Sequence, residues 1–195
     1  MKIFILGCGA LGSNIAMNLA FDLKDHELIL VDFDKVEARN YQFGTQQYLR
    51  EQDGQKKVEA LQLNLYKIAG NKNVDYRDNK VQQWGFYFVE KGDLIIDCLD
   101  NYSAREYVRL TCRDMELDCI HIGFSPSMTF EVGWNDKGYK TPEDILGSFD
   151  LCEAEGARSF IQYVAGLATN CIIDFIKNQN KVDLVGNKFG ITKIQ

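Results

Sequence analysis

The stretch that most constrains this chain is residues 2–34, KIFILGCGALGSNIAMNLAFDLKDHELILVDFD. An apolar run at residues 3–6 leads directly into Gly7, Gly9 and Gly12, spaced G-x-G-x-x-G. A helical pattern follows at residues 10–23, then a second apolar run at 28–31 that ends on Asp32, twenty residues after Gly12. In a strand–turn–helix–strand unit each part has a physical role. Gly7 permits the tight turn, Gly9 lets a phosphate approach the backbone, and Gly12 lets the helix lie close to its strand. Ala10 and Leu11 open the helix, where unpaired N–H groups and the positive end of the dipole can face an anion. Asp32 can accept hydrogen bonds from ribose hydroxyls. The pattern predicts a nucleotide site, the alternative being a purely structural glycine turn. It does not choose among ATP, NAD and FAD.

Beyond this unit, strands and helices continue to alternate. Residues 55–68 carry Val58, Leu61, Leu65 and Ile68 on one helical face. Residues 74–76 make a short strand. Leu94, Ile95 and Ile96 form a continuous apolar run of the kind found in a buried parallel strand. It ends in Asp97-Cys98-Leu99-Asp100-Asn101. A helix is predicted over 103–117 and a strand over 119–122. The fold class is therefore α/β and Rossmann-like, with a mostly parallel sheet and helices on both faces.

The last third changes style. Residues 128–134 alternate apolar and polar, which predicts a more exposed, antiparallel strand. Residues 135–155 are polar, contain two glycines and include a short helix candidate at Pro142; they read as a mobile crossover loop. Residues 157–177 form a long apolar helix whose small residues Ala165, Gly166 and Ala168 suit close packing or a dimer contact. Gly186-Asn187 signals a hairpin between residues 182–185 and 189–194, an antiparallel C-terminal extension. At 195 residues the chain is read as a single domain, with residues 1–125 as the core and 126–195 as strand, crossover loop, helix and hairpin.

Charge and composition exclude some classes. A net charge of −6 without a basic block argues against nucleic acid as a partner. No apolar stretch reads as long enough to cross a bilayer, and the first strand begins at Lys2, so neither a membrane nor a signal peptide is expected. Six cysteines are scattered without a C-x-x-C, which suggests buried thiols in a reducing, cytoplasmic setting rather than disulfides or a zinc site.

Several patches together resemble the ThiF/MoeB/HesA family of ubiquitin-activating-enzyme-like adenylyltransferases. They are Gly7-Cys8-Gly9-Ala10-Leu11-Gly12; Asp32-Phe33-Asp34 with Val36 and Asn40 behind it; and Gly54-Gln55-Lys56-Lys57-Val58. Residues 93–101 with Arg105 resemble the family's D-x-x-x-D-x-x-D-N…R segment, and Cys152-Glu153-Ala154-Glu155-Gly156 resembles the place where such proteins carry a functional cysteine. The matching patches follow the family's order over about residues 1–178. The resemblance implies ATP and magnesium as cofactors. It implies attack by the C-terminal carboxylate of a small ubiquitin-like or sulfur-carrier protein on the α-phosphorus, giving an acyl-adenylate and pyrophosphate, with transfer to a thiol as a further step. A homodimer, or a heterodimer with a related subunit, is expected.

The chemistry of such a reaction gives each residue a role to test. Bringing a carboxylate to a triphosphate gathers negative charge, so cations and a metal must offset it. Lys57 stands at a helix start, where a cation opposes the dipole unless an anion lies nearby; the alternative is a solvated lysine beside Lys56. Asp100 follows a strand at the carboxyl edge of the sheet and suits magnesium, while Asp100 or Asn101 could instead cap the next helix. Asp34 either supports Asp32 or faces solvent. Asn40 contacts phosphate or ribose, or is a turn asparagine. Cys152 lies in a polar stretch as a thioester thiol or a plain cysteine, since Glu153 and Glu155 work against a thiolate. His26 and His121 read as structural.

The chain departs from the family at three points. Phe43 stands where an arginine is usual, no N-terminal arm with an arginine precedes the first strand, and the paired C-x-x-C motifs are missing. Three readings follow: an active minimal enzyme with Arg39 or another cation in place of the arginine, one half of a heterodimer, or a nucleotide-binding pseudoenzyme. A nicotinamide-dependent oxidoreductase is a competing class, carried only by the glycines and Asp32.

Overall fold

The computed structural model describes residues 1–136, 138–143 and 153–194. Eight strands form one sheet, ordered β3-β2-β1-β4-β5-β6-β7-β8. Strands β1 (Lys2–Leu6), β2 (Glu27–Asp32), β3 (Val74–Asp78), β4 (Leu94–Asp97) and β5 (Asp118–Phe124) run parallel. Strands β6 (Thr129–Trp134), β7 (Asp183–Asn187) and β8 (Gly190–Ile194) continue the sheet in antiparallel fashion. The order reverses between β1 and β4. Neighbouring crossovers there leave on opposite faces and open a crevice at the carboxyl ends of the strands.

The period-2 alternation of the parallel strands divides the core in two. Ile3, Ile5, Leu28, Leu30, Leu94 and Ile96 face helices α1 (Ala10–Asp22), α3 (Lys57–Ala69) and α6 (Ala157–Asn178). Phe4, Leu6, Ile29, Val31 and Ile95 face the short α4 (Val81–Trp84) and α5 (Tyr102–Asp114). Burial on both faces is why these strands read as unbroken apolar runs.

The irregular segment after β2 holds α2 (Ala38–Gln42) and a 3-10 turn at Arg50–Gln52. Buried amides pin it to the helices. Asn14 Nδ2 donates to the Thr45 carbonyl at 2.8 Å, Gln47 Nε2 donates to Asn14 Oδ1 at 2.7 Å, and Asn64 Nδ2 donates to the Gln47 carbonyl at 2.8 Å. The Tyr48 hydroxyl donates to the Cys8 carbonyl at 2.6 Å, so the loop is also tied to the glycine turn.

The structure corrects three expectations. The hairpin turns at Lys188-Phe189, with Asn187 opposite Gly190, so Gly186 is a strand residue. A side chain at Gly186 would run into the Phe130 ring and the Gly190 carbonyl, which explains the glycine without a turn. Strand β6 is antiparallel but not exposed: Phe130, Val132 and Trp134 are buried on the face that α6 covers. Finally, one stretch, Ala157–Asn178, is long and apolar enough to cross a bilayer by length and composition, with a mean hydropathy of 1.3 over its best window. Half of that window is buried within the fold, as in a core helix. Its small residues Ala165 and Ala168 are buried, and Thr169 accepts a hydrogen bond from Asn18 of α1 at 3.2 Å. The Pro142 helix candidate runs into residues 144–152, outside those described.

Candidate functional site

The crevice at the strand reversal is a cleft of about 460 Å³. Its first wall is the turn between β1 and α1. Gly7 has φ +85°, and a Cβ there would stand 2.9 Å from the Cys98 carbonyl oxygen. A Cβ on Gly12 would collide with the Gly7 carbonyl, so α1 leaves the strand only because position 12 is glycine. Gly9, by contrast, has open space beyond its Cα. It is the N-cap of α1 and offers no side-chain cap. The first-turn N–H groups at Ala10 and Leu11, which lack intrahelical acceptors, therefore border the cleft.

Asp32 closes the second wall. Its Oδ2 accepts from the Cys8 N–H at 2.6 Å and its Oδ1 from the Asp34 N–H at 2.8 Å. Burial pushes its carboxyl upward, against the pull of nearby Lys57 and of these two backbone N–H groups. Lys57 comes from the first turn of α3. Its Nζ lies 2.9 Å from Asp34 Oδ2, with the lysine side chain 9% exposed and the aspartate 48%. Burial disfavours the Lys57 ammonium, but Asp32 and Asp34 outweigh it, and its pKa is raised overall. Asn40 is buried; its Oδ1 accepts from the Glu37 N–H at 2.8 Å, which fixes the start of α2.

The third wall follows β4. Asp100 is exposed and borders the cleft. Asn101 also borders it while its Oδ1 caps α5 by accepting from the Ala104 N–H at 2.9 Å. Gly7, Gly9, Ala10, Leu11, Asp32, Asp34, Asn40, Lys57, Asp100 and Asn101 thus all line one cleft. Gly12 lies behind it as a packing residue. Cys152 lies outside the described residues. Phe43 is 42% exposed and does not line the cleft, whereas Arg39, paired with Glu37 at 2.9 Å, does.

Sequence reasoning misses other residues of the site. Asn79, Lys80 and Gln82 border the cleft just after β3, and Lys80 Nζ sits 4.9 Å over the Phe33 ring. Their place after a parallel strand is the signal that could have found them. Gln46 also borders the cleft, and its buried Oε1 has no hydrogen-bond partner. Behind β4 and β5 lies a buried ionic cluster. His121 Nδ1 is 2.6 Å from Asp97 Oδ2, and Arg105 Nε is 3.7 Å from the same oxygen. Tyr139 stacks on His121 at 4.2 Å, with the rings 6° from parallel. His121 is fully buried in this cluster.

Known proteins place this architecture. The model of the ThiF family matches residues 1–194. The chain belongs to the ThiF family. Among its relatives, "SUMO-activating enzyme subunit 2" of Dictyostelium discoideum is 26% identical over 125 residues, covering 63% of this chain and 18% of that protein. "Ubiquitin-like modifier-activating enzyme 5" of the same organism is 26% identical over 139 residues, covering 64% of this chain and 35% of that protein. This ThiF chain thus spans well under half the length of these relatives. Among solved structures, E. coli MccB with ATP superposes with a TM-score of 0.76 at 17% identity, covering 99% of this chain and 62% of that one. PaaA superposes with a TM-score of 0.69 at 19% identity, covering 100% and 72%. These likenesses show that the Rossmann-like ThiF fold is shared.

Proposed function

We propose that this ThiF protein is an ATP-dependent adenylyltransferase that activates the C-terminal carboxylate of a small ubiquitin-like or sulfur-carrier protein. The observation that carries this reading is the meeting of Lys57 and Asp100, on different elements, in one cleft with the uncapped start of α1 and Asp32. The relatives act in the same direction: they are named as activating enzymes for ubiquitin-like modifiers, and MccB is known with ATP.

Each part then has work to do. Gly9 and the first-turn N–H groups of α1 cradle phosphate oxygens. Asp32 holds the ribose through its remaining lone pairs. Lys57, kept charged by Asp34 and Asp32, offsets charge at the triphosphate. Among the described residues, no three His, Cys, Asp or Glu side chains gather as a metal cage. A magnesium ion that leans on phosphate oxygens needs only one or two carboxylates, and Asp100 fits that requirement. Such an ion supplies charge neutralisation to the phosphates. One oxygen of the substrate carboxylate attacks the α-phosphorus, the bond to the bridging oxygen breaks, and pyrophosphate leaves with the electron pair. Arg39, which lines the cleft where Phe43 does not, is our choice for the cation that stands in for the absent arginine. Residues 135–155 are proposed as the cover of the carrier's tail, and Cys152 as the candidate acceptor thiol.

The test is pyrophosphate exchange with ATP, magnesium and candidate carriers. Exchange that disappears in Asp100→Ala supports the enzyme. ATP binding without exchange points to a regulatory subunit or pseudoenzyme, and calorimetric preference for NADH over ATP points to the oxidoreductase. Removing the loop at residues 135–155 should spare ATP binding and abolish carrier adenylation.

A further inference from the structure

The segment that follows β6 is fastened at its root. Asn135 Nδ2 donates to the Arg109 carbonyl at 2.9 Å, and Thr141 Oγ1 donates to Glu106 Oε2 at 2.7 Å, both on α5. Between these ties the Tyr139 ring lies on His121, with centroids 4.2 Å apart, and its hydroxyl accepts from Arg105 Nη2 at 3.2 Å. Gly133 makes the space for that ring. It stands opposite His121 in the β5–β6 register, and a Cβ there would come within 3.1 Å of the Tyr139 ring. A glycine inside a strand weakens it and often marks a close approach by another group.

The chain of contacts continues toward the nucleotide cleft. His121 Nδ1 is 2.6 Å from Asp97 Oδ2, and both side chains are fully buried. The other oxygen, Asp97 Oδ1, accepts from the Leu99 N–H at 3.0 Å. A carboxylate that accepts from the N–H two residues on closes a tight turn. This turn leads off β4 and delivers Asp100 to the cleft. Asp97 therefore has one oxygen on the turn that presents Asp100 and the other on the imidazole under Tyr139. Arg105, with Nε 3.7 Å from the oxygen that meets His121, is the cation beside the chain. At a buried site a displaced imidazole leaves the carboxylate short of a partner, so Asp97 must shift and the turn with it.

We propose that Tyr139 and His121 are positioning residues for Asp100: the ring fixes the imidazole, the imidazole fixes Asp97, and Asp97 fixes the turn that presents the Asp100 carboxylate to magnesium. The root of the loop and the cleft are thereby coupled. This rests on the reading of Asp100 as the magnesium carboxylate.

The full chain is compared with Tyr139→Leu, which removes the ring, and Tyr139→Phe, which keeps it. Hydrogen exchange at the Leu99 N–H is followed by NMR without nucleotide. It should quicken by up to about tenfold in Tyr139→Leu, the scale of weakening one hydrogen bond, and stay unchanged in Tyr139→Phe. Calorimetry then measures the affinity for a non-hydrolysable ATP analogue with magnesium and with EDTA. The gain from magnesium should fall about tenfold in Tyr139→Leu, the low end for losing an outer partner of a metal ligand. Tyr139→Phe should keep the gain, and the affinity in EDTA should be the same in all three proteins. If Tyr139→Leu does not fold, Gly133→Ala displaces the ring in its place and should act in the same way. Removing residues 135–155 should likewise spare the nucleotide and lower the magnesium gain. Unchanged Leu99 exchange in a folded Tyr139→Leu, or faster exchange with the full magnesium gain, overturns this inference and leaves the adenylation reading standing. Failure of the analogue to bind the unaltered protein overturns the adenylation reading, and this inference with it.

Discussion

Lys57 Nζ lies 2.9 Å from Asp34 Oδ2, so the lysine at the edge of the cleft is anchored to the acid two residues beyond the ribose-binding candidate. The pair aims a buried ammonium rather than stapling the surface. Because Asp34 is half exposed, the contact itself should contribute no more than about 1 kcal/mol to stability. We expect Lys57→Met to lower pyrophosphate exchange by about a hundredfold or more, the scale of losing one preorganised charge partner, with the fold retained in circular dichroism. The sign of the pH effect follows from the raised lysine pKa. A group whose pKa is raised on folding contributes fully below its unfolded value, about 10.4 for lysine, and loses that contribution as pH rises through the folded one. The melting-temperature gap between the protein and Asp34→Asn should therefore hold steady through neutral and mildly alkaline pH and close only above that value.

Gly9 and Gly12 belong to one motif but should fail differently. Gly12→Ala drives a methyl into the Gly7 carbonyl. It should destabilise the protein by about 1–3 kcal/mol, as overpacking does, with a Tm loss of roughly 2–4 °C per kcal/mol. Gly9→Ala meets open space at an ordinary φ of −76°, so its Tm should hardly change. ATP affinity should nevertheless fall by roughly tenfold, because the methyl occupies the phosphate's approach and a charged hydrogen bond is lost. Thermal melts and calorimetry on both variants separate the two roles. A destabilised Gly9→Ala with normal ATP binding would contradict this division.

The fully buried Asp97 balances Arg105 and holds His121. Asp97→Asn should cost about 3–5 kcal/mol, since removing one partner leaves a buried charge uncompensated. A denaturant titration measures this as a lowered midpoint at constant slope. A loss below 1 kcal/mol, on the order of a surface pair, would mean that the cluster is not the electrostatic unit its distances indicate.

Burial pushes the thiols of Cys8, Cys98, Cys119 and Cys171 upward, that of Cys171 to about 11. Thiolates are the reactive form, so these residues should resist iodoacetamide at neutral pH in the native protein and react once unfolded in guanidinium. Mass spectrometry then reads whether Cys152 is the one thiol labelled in the folded state. Rapid native labelling of Cys8 would show that the glycine turn opens far more than its packing suggests.

The parts of this fold legible in the sequence are those written in local spacing. The glycine turn, the apolar strands of the parallel sheet and the acid that ends β2 depend on residues within a single unit, and the structure places them as their pattern predicts. The C-terminal hairpin forms as its signal predicts, but its turn falls two residues later, at Lys188-Phe189. Gly186-Asn187 looks like a turn, yet Gly186 is glycine because the Phe130 ring from another strand takes the space of its side chain. The four-residue α4 leaves no periodicity to read, and with it the cleft residues Asn79, Lys80 and Gln82 go unnoticed.

By itself the sequence determined the nucleotide-type unit, the α/β class and the identities of the charged candidates, because backbone conformation and face are encoded within a few residues. Only the tertiary structure decided which of those charges meet. Strand order brings the end of β4 beside the end of β1, and so puts Asp100 on the cleft that Lys57 also lines. Hydrophobic periodicity records which side of a strand is buried and nothing about which strand lies next to it.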